Sequence, residues 1–150
     1  MKITIEFIDH ADQRYDTPGD WFYTPSDNLI IRVSRLGIPE YEHLIAIHEL
    51  VEALLCAHDG VRQRAVDRFD KAWHPRKLGN GTPITEPGED PDCPCHEQHV
   101  VAEHVERIVA QAMSVHWPSY GFEVDKIWKR PSPKAEGGIS FEIIEADRPE

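Results

Sequence analysis

Cysteine, positive charge and long apolar runs are all scarce in this chain, and each scarcity removes a class of protein. Three cysteines in 150 residues is an odd number and too few for a disulfide framework, which fits a reducing compartment. Lys and Arg number 16 against 27 Asp and Glu, for a formal net charge of −11. An acid excess of that size repels phosphate backbones, so no nucleic-acid partner is expected. The apolar runs are a few residues long, far short of the roughly 20 that a membrane span needs, and mean hydropathy is −0.51, so no membrane association is expected. The opening MKITIEFIDH alternates where an export signal would show an apolar block, and a cytoplasmic location follows as the expectation. What remains is enough to fold: 40% hydrophobic residues, with four Trp, four Tyr and five Phe, argue for a real core in one domain spanning residues 1–150.

Histidine is the residue in surplus. There are nine, where an average frequency of about 2% would give about three. They cluster as His43, His48 and His58 in one segment and His96, His99 and His104 in another. Such groups of imidazoles are either metal ligands or a solvated, pH-sensitive surface.

The pattern along the chain predicts an α+β fold, with a small antiparallel sheet packed on two long helices that carry a metal site, plus a Pro-rich loop. Ile3, Ile5 and Phe7 alternate as a strand; Trp21–Tyr23 and Leu29–Leu36 follow after turn signals, suggesting an antiparallel meander. Pro39 suits the first turn of a helix running to about His58, with Leu44, Ile47, Val51, Leu54 and Leu55 inward and Gly60 as its stop. A shorter helix covers Val61 to Trp73 and leaves Asp67 and Asp70 solvated. Residues 75–94 hold five of the twelve prolines and read as a long loop or flap. Cys95 to His116 is the second long helix, its stripe formed by Val101, Val105, Ile108, Ala112 and Val115 and its end set by Pro118. Residues 129–138 and 146–150 are expected to be flexible, while Ile139, Phe141 and Ile143 could return a last strand to the sheet. The four tryptophans are expected to serve packing.

The first long helix contains His48-Glu49-Leu50-Val51-Glu52. His48 and Glu52 are four apart and share a face. At about 100° per residue, both fall inside the apolar stripe, where a carboxylate is costly unless paired or metal-bound. The motif resembles the helix of zincin metallopeptidases, His-Glu-x-x-His, in which two histidines hold zinc and the intervening glutamate activates water. Glu52 replaces the second histidine, which keeps zinc possible and admits iron, manganese or magnesium. Glu49 takes the place of the catalytic glutamate. The bland alternative is a hydrogen-bonded His48–Glu52 pair without an ion.

On the second helix, His99 lies at the edge of the stripe, with His96 one turn before it. The predicted metal set is His48, Glu52, His99 and His96. Glu106 and Glu103 are expected to be outer partners of these ligands or ligands of a second ion, since His99 and Glu106 lie about 10 Å apart along the axis at about 1.5 Å per residue. The acidic run Glu86–Asp92 reads as a soluble loop that could also contribute one oxygen ligand or cover the site. Cys93-Pro94-Cys95 lacks the usual zinc spacing.

Gly19-Asp20-Trp21, Ile31–Ser34, Ile47–Cys56, Val66–Asp70, Glu86–Pro91, His96–His99 and Glu106-Arg107 together resemble a family of small uncharacterised proteins of phages and environmental bacteria, over roughly residues 19 to 110. That resemblance implies a pair of helices bearing a metal site and, for a phage-encoded chain, a location in the host cytoplasm; it implies no substrate. Three functions are compatible with these residues. The first is a metal-dependent hydrolase acting on a small molecule or peptide, with Glu49 as base. The second is a magnesium-dependent nucleotide-triphosphate pyrophosphatase, mimicked by Glu49-x-x-Glu52 and Glu103-x-x-Glu106. The third is a non-enzymatic accessory protein with a structural metal.

Overall fold

Three strands form the larger sheet: β1 (Ile3–Ile8), β2 (Gly19–Tyr23) and β3 (Leu29–Ser34), in the order β1-β3-β2. The computed structural model describes residues 1–128. β2 and β3 make the expected antiparallel hairpin, Trp21 opposite Ile31, across a turn in which Asp27 takes φ 64°. β1, however, runs parallel to β3, with Ile5 opposite Ile31. The sheet is therefore mixed and not an antiparallel meander. Alternation specifies which face of a strand is buried, not which strand is its neighbour. Leu29, Ile31 and Val33 have no exposed surface, whereas Ile3 and Ile5 are 42% exposed, so the most apolar strand takes the centre and β1 an edge.

Helix α1 (Pro39–Asp59) crosses β2 and β3. Pro39 opens it, and the Glu42 carboxylate accepts from the Leu36 and Gly37 amides at 2.7 and 3.0 Å. Gly60, at φ 73°, ends it in the left-handed conformation that favours glycine. Helix α2 (Gln63–Ala72) turns Val66 and Asp67 inward. Residues 75–94 form an ordered strap, with a short ladder of β4 (Arg76–Lys77) and β5 (Pro83–Ile84) and a single helical turn at Pro87–Glu89. Its fastening is Asp90, 1% exposed, which accepts from Arg76 Nε at 2.6 Å and Trp73 Nε1 at 3.0 Å.

Helix α3 (His96–Ala112) stops before the predicted His116, and a further helix follows, α4 (Trp117–Trp128). Pro118 is the second residue of that new helix, where its missing N–H costs nothing; the sequence reading took the same proline as a terminator. The buried face of α3 is also rotated from the predicted one. Val101 and Ile108 are 46% and 67% exposed, and His104 is exposed with them. Gln98, His99, Ala102, Glu106 and Ala110 face inward instead. A hydrophobic stripe was the wrong guide because this helix buries polar ligands. The expectations for residues 129–138, 139–143 and 146–150 lie outside the described residues. Among the described residues no helix is long and apolar enough to cross a membrane.

The segment between β1 and β2 is held by Arg14, which lies between two buried aspartates. It donates to Asp20 at 2.6 and 2.8 Å and to Asp67 at 3.1 and 3.0 Å. Asp67 is 6% exposed and Asp70 accepts from the Tyr15 hydroxyl at 3.1 Å, so neither is the solvated residue the amphipathic reading of α2 predicted. Replacing Arg14 by leucine strands Asp20 and Asp67 as unpaired buried charges. The expected cost is about 3–5 kcal/mol, read as a lower urea midpoint; a midpoint within error of the parent would contradict this role.

Candidate metal centre

Helices α1 and α3 run antiparallel. Gln98 near the start of α3 donates to Asp59 at the end of α1 at 2.7 Å, while Glu106 further along α3 meets His48. Between these points the helices touch through polar groups. His48 Nε2 lies 3.1 Å from His99 Nδ1, His99 Nδ1 lies 2.9 Å from Glu52 Oε2, and His48 Nε2 lies 3.4 Å from the same oxygen. Ligands at about 2.0–2.1 Å from a tetrahedral ion are themselves about 3.3–3.4 Å apart, so this triangle is close to one face of such a shell. The three residues are 9%, 6% and 6% exposed. Together they could hold a divalent metal ion.

Each ligand has a second partner that fixes its orientation. His48 Nδ1 is 2.9 Å from Glu106 Oε2, and the other oxygen of Glu106 accepts from the Tyr120 hydroxyl. His99 Nε2 is 3.2 Å from Glu86 Oε1. Glu52 Oε1 accepts from Trp21 Nε1 at 2.9 Å. Imidazoles that bind metals donate their remaining N–H to a carboxylate or carbonyl in this way, which selects the tautomer and directs the free lone pair inward. Glu106 is thus placed to orient His48, the outer-partner role of the two expected for it.

The electrostatics follow from this wiring. Burial alone lowers the affinity of His99 for a proton, but hydrogen bonds to Glu52 and Glu86 outweigh it and raise its pKa to about 10. For His48 burial acts in the same direction and is overturned by Glu106 and Glu52, leaving it well above the imidazole range. Burial would raise Glu52, yet the bonds from both histidines hold it well below the usual carboxylate range. At 3.1 Å the two imidazoles cannot both present a proton to each other.

Glu49 stands apart from these pairs. It makes no hydrogen bond or ion pair with another described residue, and its side chain lies over the bare backbone of Gly19, where a Cβ would come 2.4 Å from Oε1. Burial and the nearby Glu52 charge push its pKa well above the carboxylate range. Glu49 lines the same cavity as His48, Glu52 and His99, a space of about 260 Å³ walled by the strap residues Glu86–Gly88 and by Trp117, Tyr120 and Trp128 of α4.

Of the predicted ligands, the structure brings His48, Glu52 and His99 together and leaves His96 out. Its Nδ1–H donates to the Gly88 carbonyl at 2.9 Å, so it fastens the strap. Glu103 pairs with Arg107 at 2.7 Å on the outer side of α3, and touches none of the three. Trp21, Glu86, Tyr120, Gly19 and Gly88 belong to the site but were not singled out as such in the sequence. The acidic run around Glu86 was the one usable signal; Trp21 reads as packing in any sequence pattern. A second constellation, His10 between Ser34 Oγ at 2.9 Å and Asp16 at 2.8 Å, has the composition of a nucleophilic triad without its function. Ser34 is 0% exposed and its hydroxyl donates to the Thr17 carbonyl.

No family model matches the chain, and no curated protein or solved structure matches it either.

Two outcomes follow for the protein stripped of metal. A Cβ on Gly88 would sit 2.1 Å from His99 Nδ1, against a ring that cannot flex away, so Gly88→Ala should weaken binding of an added divalent metal ion by about 10- to 100-fold with the circular-dichroism spectrum unchanged; unaltered affinity in competition with a chromogenic chelator would contradict the geometry. His99 has a folded pKa above its unfolded one. Its contribution to stability is complete below about pH 6.5 and is lost as pH rises towards about 10. The metal-free urea midpoint should accordingly fall across that interval, and a midpoint that rises there would be inconsistent with the paired imidazoles.

Proposed function

We propose that the protein is a metal-dependent hydrolase, with His48, Glu52 and His99 holding a divalent ion, most suitably zinc, and Glu49 acting as general base. The observation that carries this reading is the placement of an unpaired, high-pKa carboxylate, Glu49, on the same cavity as three ligand atoms that are each oriented by a partner of their own. Two histidines and one carboxylate form a catalytic donor set, whereas structural sites are closed by four protein ligands. An ion bound there would supply Lewis acidity and lower the pKa of water.

The residues of the chain divide the remaining work. Glu106 and Glu86 keep the two imidazoles in the tautomers that ligation requires, and Trp21 leaves only one Glu52 oxygen free to bind. Glu49 is the carboxylate placed to take a proton from water and return it to a leaving group, because it lines the same cavity as the three ligand atoms and is not committed to a partner of its own. The walls from α4 and the strap leave a cavity of about 260 Å³ that suits a small molecule or a short stretch of peptide. The family resemblance would place this chemistry in the cytoplasm of a bacterial host. The pyrophosphatase alternative has less support, since Glu103 is paired with Arg107 and Glu52 and Glu106 are committed to imidazoles.

Elemental analysis of untagged protein should find about one transition-metal ion per chain, and His48→Ala should abolish it. Glu49→Gln should keep the metal and the fold while slowing turnover of a peptide or ester substrate by about 10²- to 10⁴-fold. Protein that cannot be loaded with metal, or a Glu49→Gln variant as active as the parent, would refute the assignment.

A further inference from the structure

The three cysteines are free, buried and members of one core cluster, but they are not equivalent. Cys93 and Cys95 present their sulfurs to each other at 2.9 Å. A disulfide bond is about 2.05 Å long, so bond formation requires the sulfurs to approach by less than about 1 Å. Cys56, at 0% exposure, lies on α1 and has no such sulfur contact. Cys95 also lines the cavity that contains Glu52 and His99, so a small solute admitted there comes up against this residue even though it is only 2% exposed.

The backbone holds this pair in place. The Cys93 amide donates to the Asp90 carbonyl at 2.8 Å, the His96 amide to the Cys93 carbonyl at 3.1 Å, and the His99 amide to the Cys95 carbonyl at 2.8 Å. One side of the pair is therefore fixed to the strap through Asp90 and the other to the first turn of α3. Pro94 between them restricts the backbone further. On this fixed backbone both side chains are buried, at 5% and 2% exposure, with their sulfurs in contact.

We propose that Cys93 and Cys95 form a redox modification site, a dithiol that a hydroperoxide admitted to the cavity converts into an intrachain disulfide. In the first step Cys95 Sγ attacks one peroxide oxygen and the O–O bond breaks. The thiol proton joins the departing hydroxide, or alkoxide, as water or alcohol, leaving a sulfenic acid on Cys95. Cys93 Sγ then attacks Cys95 Sγ, the S–O bond breaks, and the hydroxyl leaves with the Cys93 proton as water. The dithiol has lost two electrons and two hydrogens, and the peroxide has been reduced. The Cys95 thiol is held protonated by its contact with Cys93 and by burial, so the reaction is slow and needs sustained exposure to peroxide. A ring closed across a single residue is strained, and a dithiol reductant should reopen it readily.

This site is independent of the hydrolase assignment, because neither sulfur belongs to the metal triangle. The test is thiol titration and intact mass on the whole, folded protein, metal-free and metal-loaded, after incubation with hydrogen peroxide. The titre under denaturing conditions should fall from the three thiols of the sequence to the single thiol of Cys56, with a mass loss of about 2 Da that dithiothreitol reverses. Digestion should place the link within one peptide containing both Cys93 and Cys95. Cys56→Ser should leave that mass loss intact, and Cys95→Ser should abolish it. A bond to Cys56, a cross-link between chains, or oxygen addition at each cysteine without a mass loss would overturn the proposal, and mapping on the parent protein decides it even where a variant fails to fold.

Discussion

The contact between α1 and α3 controls most of this structure, and it is made by histidines and carboxylates where a helix pair ordinarily uses leucine. His48 touches Glu106 through one ring nitrogen and His99 and Glu52 through the other. Burying that many ionisable groups costs several kcal/mol per charge unless each has a partner. Here the partners come from elements far apart in sequence: Trp21 from β2, Glu86 from the strap and Tyr120 from α4. The cluster therefore requires all of these elements to be in place at once, and it gives the mixed sheet, the strap and the last helix a common reason for their positions.

Two glycines show how closely the surroundings are fitted to the cluster. Gly19 leaves room for the Glu49 carboxylate, and Gly88 leaves room for the His99 ring. Neither has a positive φ, so the requirement is for space and not for backbone freedom. The strap that supplies Gly88 is itself fixed by Asp90 with Arg76 and Trp73, and His96 adds a second fastening at the Gly88 carbonyl. Arg14 performs the same service on the opposite wall, holding β2 against α2 through Asp20 and Asp67.

Much of this was legible in the sequence where the signal was local. The extent of α1, its glycine stop and the His48/Glu52 face follow from spacing alone, and His99 followed from being the histidine at the edge of the second stripe. The failures share one cause. The face of α3 and the solvation of Asp67 were inferred on the rule that apolar residues go in and polar residues go out. That rule breaks down where a polar cluster is the interior. Val101 and Ile108 lie outside because His99, Ala102 and Glu106 occupy the buried face. The order of the strands was illegible for a different reason: alternation carries no information about pairing, and only the complete burial of Leu29, Ile31 and Val33 places β3 in the middle.

The acid excess of the chain takes on a definite meaning in this setting. Glu52, Glu86 and Glu106 contribute three carboxylates to a region whose basic partners among the described residues are two imidazoles. With both imidazoles neutral, as ligation demands, the carboxylates are in surplus; with protons on the imidazoles, the surplus shrinks, and this is why the carboxylates hold His99 protonated up to about pH 10. A divalent ion in the triangle does the same electrostatic work as those protons and leaves the imidazole lone pairs correctly used. Protons and a metal ion would therefore compete for one set of atoms, and the affinity of the triangle for an ion would rise with pH. Glu49 stays outside this competition. It makes no ion pair with another described residue, and burial and the Glu52 charge suppress its own charge more than the two imidazoles favour it. The cluster thus keeps a surplus of carboxylate charge beside Glu49, and a divalent ion in the triangle would offset that surplus and lower the cost of ionising Glu49 as well.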